Sequence, residues 1–232
     1  RDLLTSLGAL DPAGHITDLG KKMIRLPLHP RLARMILKAE EWDETALACD
    51  LAALLSERDI LKTDRETPNA DMRARLERVN RARKTGKGSP EVMRVLKNAD
   101  DLRRRFKAGK EAVSLTDAGV ILAYAYPDRI GELRKDSKTV YRLSGGRGAS
   151  LQAGDVLQGK SFIVVADLDG KGRDARIYLA AEIDREDLKD RFADLVRSEK
   201  QVYWDEERDR IVVAEEEKIG ALVLKSDRIK NP

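Results

Sequence analysis

Up to Tyr126 the apolar residues recur at helical spacing; beyond Pro127 they alternate, so a helical part is followed by a β part. The first thirty residues read as a helix–wing–helix unit. Leu3, Leu4 and Leu7 form a stripe that Gly8 ends, Asp11-Pro12-Ala13-Gly14 is a turn, and Thr17 is placed to cap a helix carrying Leu19 and Met23. Pro30 suits the first turn of the next helix. From 31 to 126 the spacing predicts a helical bundle. One stripe is Leu32, Met35, Ile36 and Ala39, and another is Leu47, Leu51, Leu54 and Leu55. A narrower one, Met72, Leu76 and Val79, is ringed by Arg73, Arg75, Arg78, Arg81 and Arg83. After a basic glycine-containing linker, Ser89-Pro90 opens a helix that turns Val92, Leu96, Ala99, Leu102 and Phe106 inward. A last helix is predicted from near Ser114, where Ser114 and Asp117 have capping-box spacing, to just before Pro127.

Period-two runs over 139–144, 149–152, 161–167 and 175–180, separated by glycine turns and followed by a helix over 184–192, predict an OB-like barrel spanning 127–196. Val202 to Trp204 and Ile211 to Ala214 predict a β-hairpin extension over 197–232, with Ala221 to Leu224 as a further strand. The fold class is therefore α+β: a partial winged helix (1–30), a helical bundle, an OB-like β-barrel and a β extension.

Charge sharpens this picture. The net charge is only +4, yet residues 62–110 hold 16 Lys and Arg against 7 Asp and Glu, while 182–217 hold 14 acidic against 7 basic residues. A basic block beside an acidic one suits a polyanion-binding surface; two solvated faces are the bland alternative. No apolar run approaches the length of a membrane span, no secretion-signal layout opens the chain, and a single cysteine excludes an internal disulfide. A cytoplasmic location is the simplest expectation. The start at Arg1 rather than Met suggests a piece of a longer protein.

Motifs for catalysis are missing. Gly86-Lys87-Gly88-Ser89 lacks the upstream glycine of a phosphate-binding loop and follows no hydrophobic strand. His15 and His29 are isolated from each other and from clustered carboxylates, and Cys49 reads as a small core residue. No catalytic residue, metal site or cofactor site is assigned, and ATPase activity is not expected of this chain by itself.

Three stretches carry a family resemblance. They are Leu7-Gly8-Ala9-Leu10-Asp11 leading to His29-Pro30-Arg31-Leu32-Ala33; Ala52 to Asp59; and Ala123 to Ile130 with Tyr141 to Ala149, 164–167 and 175–181. In this order they resemble the accessory region of DEAH-box helicases, and His-Pro-Arg-Leu-Ala is similar to the bacterial HrpB-type branch. The resemblance covers roughly residues 1–192. It implies a parent ATP-dependent RNA helicase whose RecA-like motor domains, with their ATP and Mg, lie upstream of this region. It also implies single-stranded RNA or DNA as the partner.

Candidate binding residues follow. Arg142, Arg147 and the backbone amides of Gly145, Gly146 and Gly148 are placed to contact phosphates; a plain turn between strands is the alternative. Arg129 is a phosphate ligand or an ion-pair partner of Asp128. Arg73, Arg81 and Arg103 represent the bundle's basic block. Tyr141 is a stacking platform or a buried strand tyrosine. With aromatics at 4%, binding should be directed mostly at the backbone. The competing function is a protein-interaction scaffold using the basic helical block. A stand-alone winged-helix regulator is weaker, because the opening unit has no clear recognition helix ahead of its wing.

Overall fold

The structure, a computed structural model, describes residues 1–61, 68–170, 174–205 and 210–229. Helices α1 (Asp2–Ser6) and α2 (Asp18–Met23) flank a short bridge between Leu10 and Ile16, giving the expected helix–wing–helix unit. The Thr17 hydroxyl accepts the Gly20 N–H at 3.0 Å, capping α2 as its position requires. Leu7, Ala9, Met23 and Ala33 form a small core of their own.

The bundle comprises α3 (Pro30–Ala39), α4 (Thr45–Leu55), α5 (Met72–Thr85), α6 (Pro90–Arg105) and α7 (Ala118–Ala125). Pro30 occupies the first turn of α3, and the Ser89 hydroxyl accepts the Val92 N–H at the start of α6. Every residue of α7 is buried. A helix that is apolar all round belongs at the centre of a fold, and α7 sits between α3 and α4 on one side and barrel strands on the other. Its start corrects the expectation: α7 begins at Ala118, because the Ser114 hydroxyl is engaged by Thr116 and caps no helix.

Five strands close the barrel: β1 (Ile130–Leu133), β2 (Val140–Leu143), β3 (Gly148–Ser150), β4 (Phe162–Leu168) and β5 (Asp174–Glu182), in the order β1-β2-β3-β5-β4. Only β3 and β5 run parallel. Strand β1 was not anticipated: four residues that include Gly131 are too few to display a period of two. Tyr141 lies inside the barrel, fully buried, its hydroxyl donating to the Leu157 and Lys160 carbonyls. This resolves its two readings in favour of packing.

Helix α8 (Arg185–Arg191) leads to an antiparallel sheet of β6 (Arg197–Asp205), β7 (Arg210–Ile219) and β8 (Leu222–Arg228), longer than the hairpin expected. The predicted hairpin tip, 206–209, lies outside the described residues. Ile219, Leu222 and Leu224 join the same core as the bundle helices and the outer side of the barrel. The extension is thus packed into the fold.

Candidate nucleic-acid interface

The turn between β2 and β3 closes on itself: the Gly146 amide donates to Leu143 O, and the Leu143 amide donates to Arg147 O, both at 2.8 Å. Gly146 has φ +87°, a left-handed conformation that favours glycine. The Gly145 amide donates to Asp128 O at 2.9 Å. The expected role for these two amides is therefore corrected: both are engaged within the protein. Gly148 is buried in β3, where a Cβ would collide with the Asp174 carboxylate, so packing accounts for that glycine. The side chains of Arg142 and Arg147 are exposed, and neither has an ion-pair partner among the described residues.

Long-range bonds fix where this turn sits. The Ser144 hydroxyl donates to Pro127 O at 2.6 Å and its amide to Ile130 O at 2.7 Å, while the Ala221 amide donates to Ser144 O at 2.8 Å. Asp128 is held in turn by Arg31 of α3, whose guanidinium makes bonds of 2.6 and 2.9 Å to the carboxylate and 2.8 Å to Ala125 O. Burial opposes ionisation of Asp128, but the bidentate guanidinium outweighs it and holds the carboxyl below its usual range. Arg31 and Arg129 both lie over the Tyr126 ring, at 4.9 and 5.1 Å from its centre. Arg129 donates to Ala166 O at 3.1 Å and lies 4.0 Å from Asp128; burial, then the like charge of Arg31, lowers its pKa. Three of the separated sequence stretches, 29–33, 123–130 and 141–149, are thus one contact network.

The bundle treats its arginines differently. Arg103 is only 2% exposed, and it binds fully buried Asp50 with two bonds of 2.9 and 2.6 Å. Its remaining donors reach Gly109 O and Glu111 O. Arg83 also reaches Asp50, at 2.7 Å, and Asp100. Arg75 is bidentate to Asp59, and Arg73 pairs with Asp71 and Glu182. Arg103 is therefore corrected from a surface ligand to a core ion pair; its partner is 53 positions away in sequence, on another helix, and no local pattern reveals it. Arg81 is exposed as expected. Arg78, Lys84, Lys87, Lys97 and Arg105 are exposed too, and none of the six has an ion-pair partner among the described residues.

Gly86 closes α5 in a left-handed conformation and Ser89 caps α6, so the Gly86–Ser89 segment is a connector between two helices. Burial raises the Cys49 thiol to about 12, in keeping with a core role. Among the described residues no group of three or more His, Cys, Asp or Glu is placed to hold a metal, and no helix is long and apolar enough to cross a membrane. Three exposed aromatics are missing from the candidates read in the sequence: Trp42, Trp204 and, on barrel strand β5, Tyr178, which is 44% exposed. For Tyr178 the signal was present, since Ala175 and Ile177 alternate with Arg176 and Tyr178 and point into the barrel.

Comparison with known proteins agrees with this architecture. The helicase associated domain (HA2), winged-helix, family matches residues 2–28. Over 232 residues, 99% of the chain, it is 31% identical to the ATP-dependent RNA helicase HrpB of Escherichia coli strain K12, of which it covers 26%. The crystal structure of the E. coli DExH-box NTPase HrpB matches all of the chain with a TM-score of 0.78 at 28% identity, over 26% of its own length. A crystal structure of the Escherichia coli DEAH/RHA helicase HrpB matches all of it at 0.75 and 27% identity, over 27% of its length. The chain spans about a quarter of the length of these relatives. Along its whole length and in its fold, it is homologous to the C-terminal accessory region of HrpB-type DEAH-box helicases.

Proposed function

We propose that this chain is the nucleic-acid-binding accessory region of an ATP-dependent RNA helicase, guiding single-stranded RNA against RecA-like motor domains of the same polypeptide. Those domains supply ATP, Mg²⁺ and hydrolysis, and the setting is the cytoplasm. The observation that carries the reading is the β2–β3 turn, where Arg142 and Arg147 stand exposed without ion-pair partners among the described residues, on a scaffold locked by Asp128, Ser144 and Ala221. With the backbone of the turn fixed, only the arginine side chains have to be ordered on meeting a phosphate. The exposed basic residues of the bundle, Arg81 among them, supply further contacts.

The test is fluorescence anisotropy of a labelled single-stranded RNA across a salt series. The reading predicts binding at low salt that weakens steeply, on the order of 300-fold between 50 and 200 mM if six phosphates of a single strand are neutralised. Absence of binding at low salt by the folded chain contradicts it. That result would favour the scaffold reading, to which these basic residues also lend themselves, and pull-down with an acidic protein would then be the measurement.

A further inference from the structure

The outward face of the barrel carries a second feature besides the turn. Val140, Ser150 and Arg176 lie level across β2, β3 and β5, and Arg142, Gly148 and Asp174 form the next level. Tyr178 lies two residues beyond Arg176 on the same side of β5, about 13 Å along the strand from the Arg142 level. Among the described residues it is the one exposed aromatic of the barrel strands, since Tyr141 and Phe162 are buried. Arg176 lies over its ring, 5.5 Å from the centre, and is itself hydrogen-bonded to the Gln152 side chain. Arg176 is thus in contact with both the Tyr178 ring and the Gln152 side chain. Nearby charge is mixed with a basic excess: Lys135 and Lys138 of the β1–β2 loop are exposed without ion-pair partners among the described residues, Asp136 is exposed between them, Asp174 is matched by Arg134 at 3.3 Å, and Glu132, level with Arg142 on β1, lies 4.0 Å from Arg185. Asp169, which accepts the Arg176 amide, bounds the face on the β4 side.

We propose that Tyr178, oriented by Arg176, is a base-stacking platform that takes one nucleobase of a single-stranded RNA whose phosphates run toward Arg142 and Arg147. This rests on the RNA-binding reading above. An aromatic ring stacks on any base, so the platform adds affinity without sequence preference, whereas the arginines respond to phosphate alone.

The experiment compares oligouridine with an abasic ribose-phosphate oligomer of equal length, by anisotropy, for the wild-type chain, Tyr178→Ala and Tyr178→Trp. Circular dichroism confirms that each variant is folded. The expected result is that Tyr178→Ala weakens oligouridine binding about tenfold at unchanged salt slope, leaves the abasic oligomer unaffected, and that Tyr178→Trp binds at least as well as wild type. Equal weakening for both oligomers, or none for oligouridine, overturns the platform while leaving phosphate binding intact. If wild type binds neither oligomer at low salt, the RNA-binding reading falls and the platform with it.

Discussion

Arg103 in the bundle and Arg147 on the barrel are both candidate phosphate ligands in the sequence, yet the fold uses them in opposite ways. Arg103 is sealed against Asp50 with all of its guanidinium nitrogens engaged, and serves the core. Arg147 projects from a turn whose backbone is committed internally, and its charge remains available to a ligand. The difference lies in whether a buried carboxylate from another element reaches the guanidinium. A count of basic residues therefore overstates how much free positive charge the bundle exposes, because several of its arginines are spent on ion pairs.

The comparison is broken or sharpened most strongly at Asp50. Asp50→Asn leaves the buried Arg103 guanidinium without its carboxylate and Arg83 with Asp100 alone, and is expected to lower stability by about 3–5 kcal/mol in urea denaturation. A change within experimental error would show that the Arg83–Asp50–Arg103 cluster is not the polar keystone of the bundle. Next comes Arg31→Ala, which removes the bidentate grip on Asp128. Its expected cost is about 1.5–3 kcal/mol, and because Asp128 O anchors Gly145, RNA affinity should fall as well. A variant that is destabilised but binds RNA like wild type would disconnect the latch from the turn.

Smaller effects follow from titration and from the surface. The folded-state pKa of Asp128 is depressed, so between that value and the unfolded value near 3.9 the unfolded chain binds more protons and stability rises with pH. The contribution is complete above the unfolded pKa and disappears as pH falls through the folded one. Acid unfolding of Asp128→Asn should accordingly show a shallower pH dependence than wild type; identical profiles would argue against the pairing. The double variant Arg142→Ala, Arg147→Ala should change stability by no more than about 0.5 kcal/mol, in contrast with Asp50→Asn.

Much of this fold was legible because local rules and tertiary packing agree. Thr17 caps a helix, Pro30 opens one, and the alternation around Ala175 and Ile177 marks a barrel strand facing its core. Agreement failed where an alternative local bond or a distant partner decides. Ser114 has capping-box spacing, but Thr116 engages its hydroxyl; β1 is too short to show a period, and closure of the barrel, with β2 and β4 on either side, makes it a strand. At the candidate interface the glycine-rich turn was visible, while its amides' internal partners came from Asp128 and Leu143. Tyr178 was readable from its parity, but Tyr141 has the same residue type and the opposite orientation, so residue type alone does not separate platform from core.

The central claim, that the free arginines of the barrel turn meet phosphates, is tested most directly by the salt dependence of single-stranded RNA binding for wild type and the Arg142→Ala, Arg147→Ala variant. The account predicts weaker binding and a slope of log K against log salt reduced by about 1.4, roughly 0.7 for each phosphate that is no longer neutralised. An unchanged slope and affinity in a folded double variant would contradict it.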